Sequence, residues 1–256
     1  MSSLFHKILS VLFPRRCPVC GKMTDSASPG LCHECAGKLA VEYEKLCPVC
    51  ERKATACTCS PEALSPEEAS VIAIGFYEPG NTGTVTSRLV YALKHQTDDA
   101  AAHILARNLA GAILKEFLAG NEDIRTWTIT YAPRSVSGYE KAGFDQAQRL
   151  AKLCARYTGA RYERIFCRHG GEAQKTLSAA DRGANAADSI RLRHSGRKHT
   201  GKYIVVDDIL TTGATLAECA RLLRSCGAES VRIAIPYRTL PRHPKKELWY
   251  APIGKK

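Results

Sequence analysis

From Val71 onward the apolar positions follow two alternating rhythms, short unbroken runs and longer stretches of helical spacing. Val71-Ile-Ala-Ile-Gly-Phe-Tyr77 reads as a strand, and after Asn81-Thr-Gly83 an apolar-periodic helix is expected over about 84 to 93. A long helix is expected over about 99 to 118, a strand over Trp127-Thr-Ile-Thr-Tyr-Ala132, and a further helix over about 144 to 157. Ile204 to Val206 and Val231 to Ile235 read as two more strands, separated by a helix over about 215 to 226. Strands alternating with helices predict an α/β fold, a parallel sheet with helices on both faces. Ligands in such sheets sit beyond the C-terminal ends of the strands.

One strand end carries unusual chemistry. Ile204-Val-Val206 runs into Asp207 and Asp208, and Thr211-Thr212-Gly213-Ala214-Thr215 then opens a helix. The threonines offer hydroxyls, and Gly213 lets backbone approach a ligand. Free N–H groups at the start of the helix favour a phosphate. The two acids can accept hydrogen bonds from sugar hydroxyls or help hold magnesium. The implied ligand is a ribose 5-phosphate group. The competing reading is a strand-end acid that merely caps a helix.

The cysteines fall into two populations. Eight of the twelve lie within the first sixty residues, spaced Cys17-x2-Cys20, Cys32-x2-Cys35, Cys47-x2-Cys50 and Cys57-x-Cys59. A C-x2-C pair on a tight turn aims two thiolates at one ion, and two such pairs complete a tetrahedral zinc site. Cys17-Pro-Val-Cys20 and Cys47-Pro-Val-Cys50 repeat one knuckle, so two zinc ribbons in tandem are expected, with structural Zn²⁺ bound at one or two sites. Pairing across the ribbons, for instance Cys17 and Cys20 with Cys47 and Cys50, is left open by the spacing. His33 inside a knuckle is expected to be a surface residue. Cys154, Cys167, Cys219 and Cys226 are isolated and read as core or surface positions.

Composition sets the outer bounds. The chain has 256 residues, 45% hydrophobic and 24% charged, which excludes a disordered chain. A net charge of +12 attracts polyanions such as phosphorylated metabolites or nucleic acid. No stretch approaches the roughly 20 apolar residues of a membrane span. Leu4-Phe5, Ile8-Leu9 and Leu12-Phe13 have helical spacing, but His6 and Lys7 interrupt them and Pro14-Arg15-Arg16-Cys17 follows. A docked helix in a cytoplasmic protein is expected rather than a signal peptide. The domain plan is then an N-terminal helix and double zinc ribbon over 1–60, a linker over 61–70, the α/β domain over 71–240 and a basic tail over 241–256.

Two more segments offer groups for an anionic ligand. Pro133, Arg134 and Ser135 follow a strand and lead into Lys141-Ala-Gly-Phe-Asp145-Gln146. Such a loop can present N–H groups and a guanidinium to pyrophosphate oxygens. Gln174-Lys175, Leu177, Arg182 and Asn185 lie among glycines, a composition suited to a lid.

The strand–Asp207-Asp208–Thr211-to-Thr215 run resembles the phosphoribosyl-pyrophosphate (PRPP) motif of type I phosphoribosyltransferases. With Phe13-Pro-Arg-Arg-Cys17-Pro-Val-Cys20, Leu93-Lys94, Ala142-Gly-Phe-Asp145-Gln146, and Gln174, Leu177, Arg182 and Asn185, the chain is similar to the ComF family over nearly its whole length. That family joins an N-terminal, often double, zinc ribbon to a type I phosphoribosyltransferase domain. Ala142 stands where the family has arginine, and Asp145 where it has asparagine, so anion affinity at that edge is in question unless Lys141 supplies the charge.

The resemblance implies binding of PRPP with Mg²⁺ and transfer of its phosphoribosyl group to a nitrogen acceptor with loss of pyrophosphate. Asp207 and Asp208 would hold the ribose, and Thr211, Thr212, Gly213, Ala214 and Thr215 the 5-phosphate. Pro133, Arg134 and Ser135 would hold the pyrophosphate, with Lys175 or Arg182 closing over it. Asp207, Asp208 and Arg134 are the catalytic candidates. Two alternatives stand beside this reading: a competence accessory binding single-stranded DNA or competence-machinery proteins, and a PRPP sensor without turnover. Only 7% of residues are aromatic and none interleave with basic ones, which argues against a base-stacking platform.

Overall fold

The structure is a computed structural model that describes residues 15–24, 30–61, 63–64, 70–95, 99–134, 139, 143–168, 189–194, 196–240 and 249–250. The helix expected at the N-terminus therefore lies outside the described residues, as do Ser135, Lys141, Ala142, Gln174, Lys175, Leu177, Arg182 and Asn185.

Among the described residues, helix α1 (His33–Tyr43) and strand β1 (Ser60–Pro61) come first, followed by β2 (Ser70–Tyr77), α2 (Val85–His95) and α3 (Ala100–Ala119). Next are β3 (Trp127–Tyr131), α4 (Gln146–Thr158), β4 (Arg161–Tyr162), β5 (Phe166–Arg168) and β6 (Ile190–Leu192). The chain then forms β7 (Gly201–Val206), β8 (Ile209–Leu210), α5 (Ala214–Ser225), β9 (Ala228–Thr239) and β10 (Trp249–Tyr250).

The main sheet runs in the order β2-β9-β7-β3-β4, and all of its pairings are parallel. Its strands read as apolar runs because both faces are covered. Alternate side chains serve the two faces. Ile204 and Val206 join Leu93, Leu105, Ile113, Leu150 and Cys154 of α2, α3 and α4. Tyr203 and Val205 join Leu216, Cys219 and Leu223 of α5.

Chain direction decides where a crevice opens. From β3 the chain crosses through α4 to β4 on one side, whereas from β7 it crosses through α5 to β9 on the other. β3 and β7 are neighbours, so their C-terminal ends flank the point where the strand order reverses. Ligands of open α/β sheets bind at that point.

The ribbon segment is docked on both faces of this sheet. Cys17, Cys35 and Leu39 pack with the α2–α4 core, while Cys47, Cys57, Cys59 and Leu64 pack with the α5 core. Glu42 of α1 accepts N–H bonds from Val85 at 2.8 Å and Thr86 at 2.9 Å, capping α2 from outside its own segment. Within the stretch read as a linker, Leu64 is fully buried, and within the stretch read as a tail, Trp249–Tyr250 pairs with β1.

Candidate functional site

The acids interrupt a single lane of the sheet. β7 pairs with β9 up to Val206 opposite Ala234, and β8 resumes with Ile209 opposite Tyr237. Asp207 and Asp208 fall between, freed from regular pairing at the switch point. The Asp207 N–H still reaches the Ala234 carbonyl at 3.3 Å, and the Asp208 N–H donates to Asp207 Oδ1 at 2.8 Å. Lys94 Nζ lies 3.3 Å from Asp208 Oδ2, so the C-terminal turn of α2 supplies a cation to the acids. Burial raises the Asp207 carboxyl well above the usual range, and the adjacent Asp208 charge raises it further.

Beyond the acids, Thr211 and Thr212 are exposed and Gly213 takes a left-handed φ of 78° at the N-cap of α5. The N-cap residue itself, a glycine, gives this helix start no side-chain cap. A Cβ on Gly213 would lie 3.1 Å from both Leu64 Cβ and Pro61 Cγ, so glycine is required by space as well as by conformation.

The opposite wall comes from β3. Its end delivers Pro133 and Arg134, and Arg134 is held twice: its N–H donates to Asp145 Oδ2 at 3.0 Å and its Nη1 donates to Gln146 Oε1. Asp145 is also the N-cap of α4, accepting from Gln148 N at 3.1 Å. The Asp145 position, read from sequence as a departure that weakens this edge, thus has a positive role. Burial raises its carboxyl while these N–H groups pull it down. Gln146 completes the circuit with a 3.5 Å bond from Nε2 to the Lys94 carbonyl.

These groups share one cavity of about 260 Å³, which gathers Lys94, Pro133, Arg134, Asp207, Asp208 and Thr215 with Arg168 of β5. Neither Lys94 nor Arg168 is marked for the site by the sequence. Lys94 stood in a motif pair without a role. Arg168 carries no signal in the sequence, since its strand β5 is only the three residues Phe166–Arg168. The structure brings Asp207, Asp208, Pro133, Arg134 and Thr215 together, with Thr211, Thr212, Gly213 and Ala214 in the adjoining turn.

The cysteines sort by ribbon, not across ribbons. Cys17, Cys20, Cys32 and Cys35 form one group and Cys47, Cys50, Cys57 and Cys59 the other, each with all four Sγ atoms within 4.8 Å of one another. Four sulfurs bound about 2.3 Å from one tetrahedral zinc lie roughly 3.8 Å apart, so both groups fit that ion. The knuckles are built alike: Cys17 N donates to Lys22 O and Cys47 N to Arg52 O, each at 2.8 Å. The residue after each knuckle takes positive φ, Gly21 at 74° and Glu51 at 56°. His33 is exposed, Cys154 and Cys219 are buried, and Cys167 and Cys226 are partly buried.

Arg238 closes the second group. It is 1% exposed, donates from Nη1 to the Cys59 carbonyl and from Nη2 to the Val71 carbonyl at 2.9 Å, and brings Nη1 within 3.9 Å of Cys57 Sγ. Four thiolates around a divalent ion leave a net charge of −2, which this buried guanidinium partly offsets.

Residues 130–251 match the phosphoribosyl transferase domain, and residues 8–67 match the double zinc ribbon domain. The DNA utilization protein YhgH of Escherichia coli O6:H1 is 29% identical over 229 residues, covering 83% of this chain and 98% of that protein. Competence protein F of Haemophilus influenzae is 38% identical over 61 residues, 23% of this chain and 27% of that one. Among solved structures, a hypoxanthine phosphoribosyltransferase from Staphylococcus aureus aligns over 55% of this chain and 76% of its own, at 14% identity and a TM-score of 0.33. The chain thus joins a stretch matching the double zinc ribbon domain to one matching the phosphoribosyl transferase domain, and is similar to YhgH over most of its length.

Proposed function

We propose that this protein binds PRPP with magnesium and transfers its 5-phosphoribosyl group to a nitrogen acceptor, releasing pyrophosphate. The observation that carries this reading is the convergence of Asp207, Asp208, Arg134 and Lys94 on one cavity at the sheet's switch point, beside a helix start whose N-cap is a glycine. The acids accept from the ribose hydroxyls, and the N–H groups and hydroxyls of 211–215 receive the 5-phosphate. Arg134, fixed by Asp145 and Gln146, holds the pyrophosphate as the sugar–oxygen bond breaks and the sugar–nitrogen bond forms. Magnesium, when bound, supplies charge for the pyrophosphate oxygens near the two acids. Ser135, Lys175 and Arg182 are assigned to the pyrophosphate loop and its cover on family resemblance. The eight ribbon thiols call for a reducing compartment, for which we propose the cytoplasm. No helix among the described residues is long and apolar enough to cross a membrane.

The test is pyrophosphate release, screened across nucleobases and amines with PRPP and magnesium. Release that depends on acceptor and is lost in Arg134→Ala supports transfer. Binding without release across the panel leaves the sensor reading.

A second reading has its own observation. A groove of about 570 Å³ between the first ribbon and α3 and α4 is lined by Arg15, Arg16, Arg107, Arg156 and His103. Asp99, the one carboxylate lining it among the described residues, is paired with Arg149. This surface suits a nucleic-acid backbone, in keeping with the name of the related DNA utilization protein YhgH. Affinity for single-stranded DNA falling steeply with salt, and weakened by Arg107→Glu/Arg156→Glu, would support it.

A further inference from the structure

We infer that Arg168 is the counter-charge of the 5-phosphate turn and sets the preference of the site for a phosphorylated sugar. The inference rests on the PRPP reading and assigns a residue to it that neither the motif nor the spacing marks. Arg168 ends β5, outside the 207–215 run, and its Nη2 donates to Thr215 Oγ1 at 3.1 Å. Thr215 is the second residue of α5, where the N–H groups of the helix start point outward. The guanidinium thus stands at the mouth of the turn.

Three features separate this arginine from an ordinary structural one. Its Nε is buried and meets no hydrogen-bond partner among the described residues. A guanidinium left so incompletely satisfied is costly, unless a ligand supplies the missing acceptor. It lines the same cavity as Asp207 and Asp208 rather than a separate surface. Its charged form is disfavoured by burial, so an arriving dianion relieves an existing cost instead of competing with a bound carboxylate. Backbone N–H groups and hydroxyls alone would take any compact anion weakly. A fixed guanidinium already bonded to a turn hydroxyl adds a planar, charged donor pair that fits a phosphomonoester. Arg134, on the opposite wall, is positioned for the pyrophosphate, so the two anionic ends of one sugar each have an arginine.

The experiment uses the full zinc-loaded chain and two probes, ribose 5-phosphate and magnesium pyrophosphate, titrated separately by calorimetry. Arg168→Gln is expected to lose about 10- to 100-fold in affinity for ribose 5-phosphate, the worth of a charge-assisted hydrogen bond, with pyrophosphate affinity unchanged. Arg168→Lys keeps the charge but not the fork, and is expected to lose a smaller factor for ribose 5-phosphate only. It becomes the deciding variant if Arg168→Gln does not fold. Equal affinity of wild type and folded variants for ribose 5-phosphate overturns the inference while leaving PRPP binding intact. A parallel loss for both probes overturns it too, since Arg168 would then act by offsetting Asp207. Wild type that binds neither probe removes the underlying reading as well.

Discussion

Arg238 donates to the carbonyl of Cys59 from the C-terminal end of β9, joining the second cysteine group to the strand beside the acid turn. In the ladder Arg238 lies opposite Leu210, three residues before Gly213, and Pro61 and Leu64 press on Gly213 just after the last ligand. The second ribbon is therefore part of the wall behind the proposed phosphate turn. Burial pushes the Cys57 thiol up to about 12, while the Arg238 charge draws it down toward the metal-binding thiolate. Arg238→Met should cost about 3 kcal/mol or more, because it leaves a buried anionic site uncompensated. It should also lower bound zinc from two ions per chain to one, measured by metal analysis after mild chelation. Two retained ions and an unchanged unfolding midpoint would remove this role.

Gly213→Ala tests the same wall from the other side. The left-handed φ alone costs an alanine about 1–2 kcal/mol, and its methyl would crowd Leu64 and Pro61 at 3.1 Å. A shift of that size in urea unfolding is expected, together with loss of ribose 5-phosphate binding. Both effects should persist when Arg168 is intact.

Asp207 should trade stability for binding. Its folded carboxyl is raised, so the unfolded chain releases its proton at lower pH than the folded one. Stability from this group is therefore lost as pH rises from about 4 through the folded value, and Asp207→Asn escapes that loss. At neutral pH without magnesium the variant should melt about 2–4 °C higher, the equivalent of roughly 1 kcal/mol in a chain of this size. The gap should close in acid, where both side chains are neutral. An Asn variant less stable at pH 7 than at pH 4, relative to wild type, would contradict this.

Glu51 carries the left-handed position that Gly21 occupies in the first knuckle. Glu51→Gly should stabilise the second ribbon by about 0.5–1 kcal/mol, since the same turn no longer strains a side chain. Slower zinc loss to a competing chelator is the readout.

The legible part of the molecule was the part dictated locally. β2, β3, β7 and β9 announced themselves as apolar runs, and α2 to α5 as 3.6-residue periods. The ligand types at the cysteines and the chemistry of 207–215 were equally plain. Less was visible where a partner decides the outcome. β4, β5, β6 and β8 are two or three residues long, and only their neighbours make them strands. Helix α1 was hidden because it begins inside the Cys32-x2-Cys35 pair, whose spacing reads as a knuckle. The partition of the eight cysteines into sequential groups agrees with the tandem spacing, and only the distances close the alternative of pairing across ribbons. Asp145 looked like a loss of function because its two N–H donors, at Arg134 and Gln148, come from the fold. Arg168 was invisible because nothing near it in sequence relates it to Thr215.

The central claim is that Asp207 and Asp208 grip the sugar of PRPP, and calorimetric titration of magnesium PRPP into wild type and into Asp207→Asn/Asp208→Asn tests it most directly. The account predicts one-to-one binding by wild type and none by the double variant, whose fold and zinc content are unchanged. Equal binding by both proteins, or no heat from wild type, would contradict it.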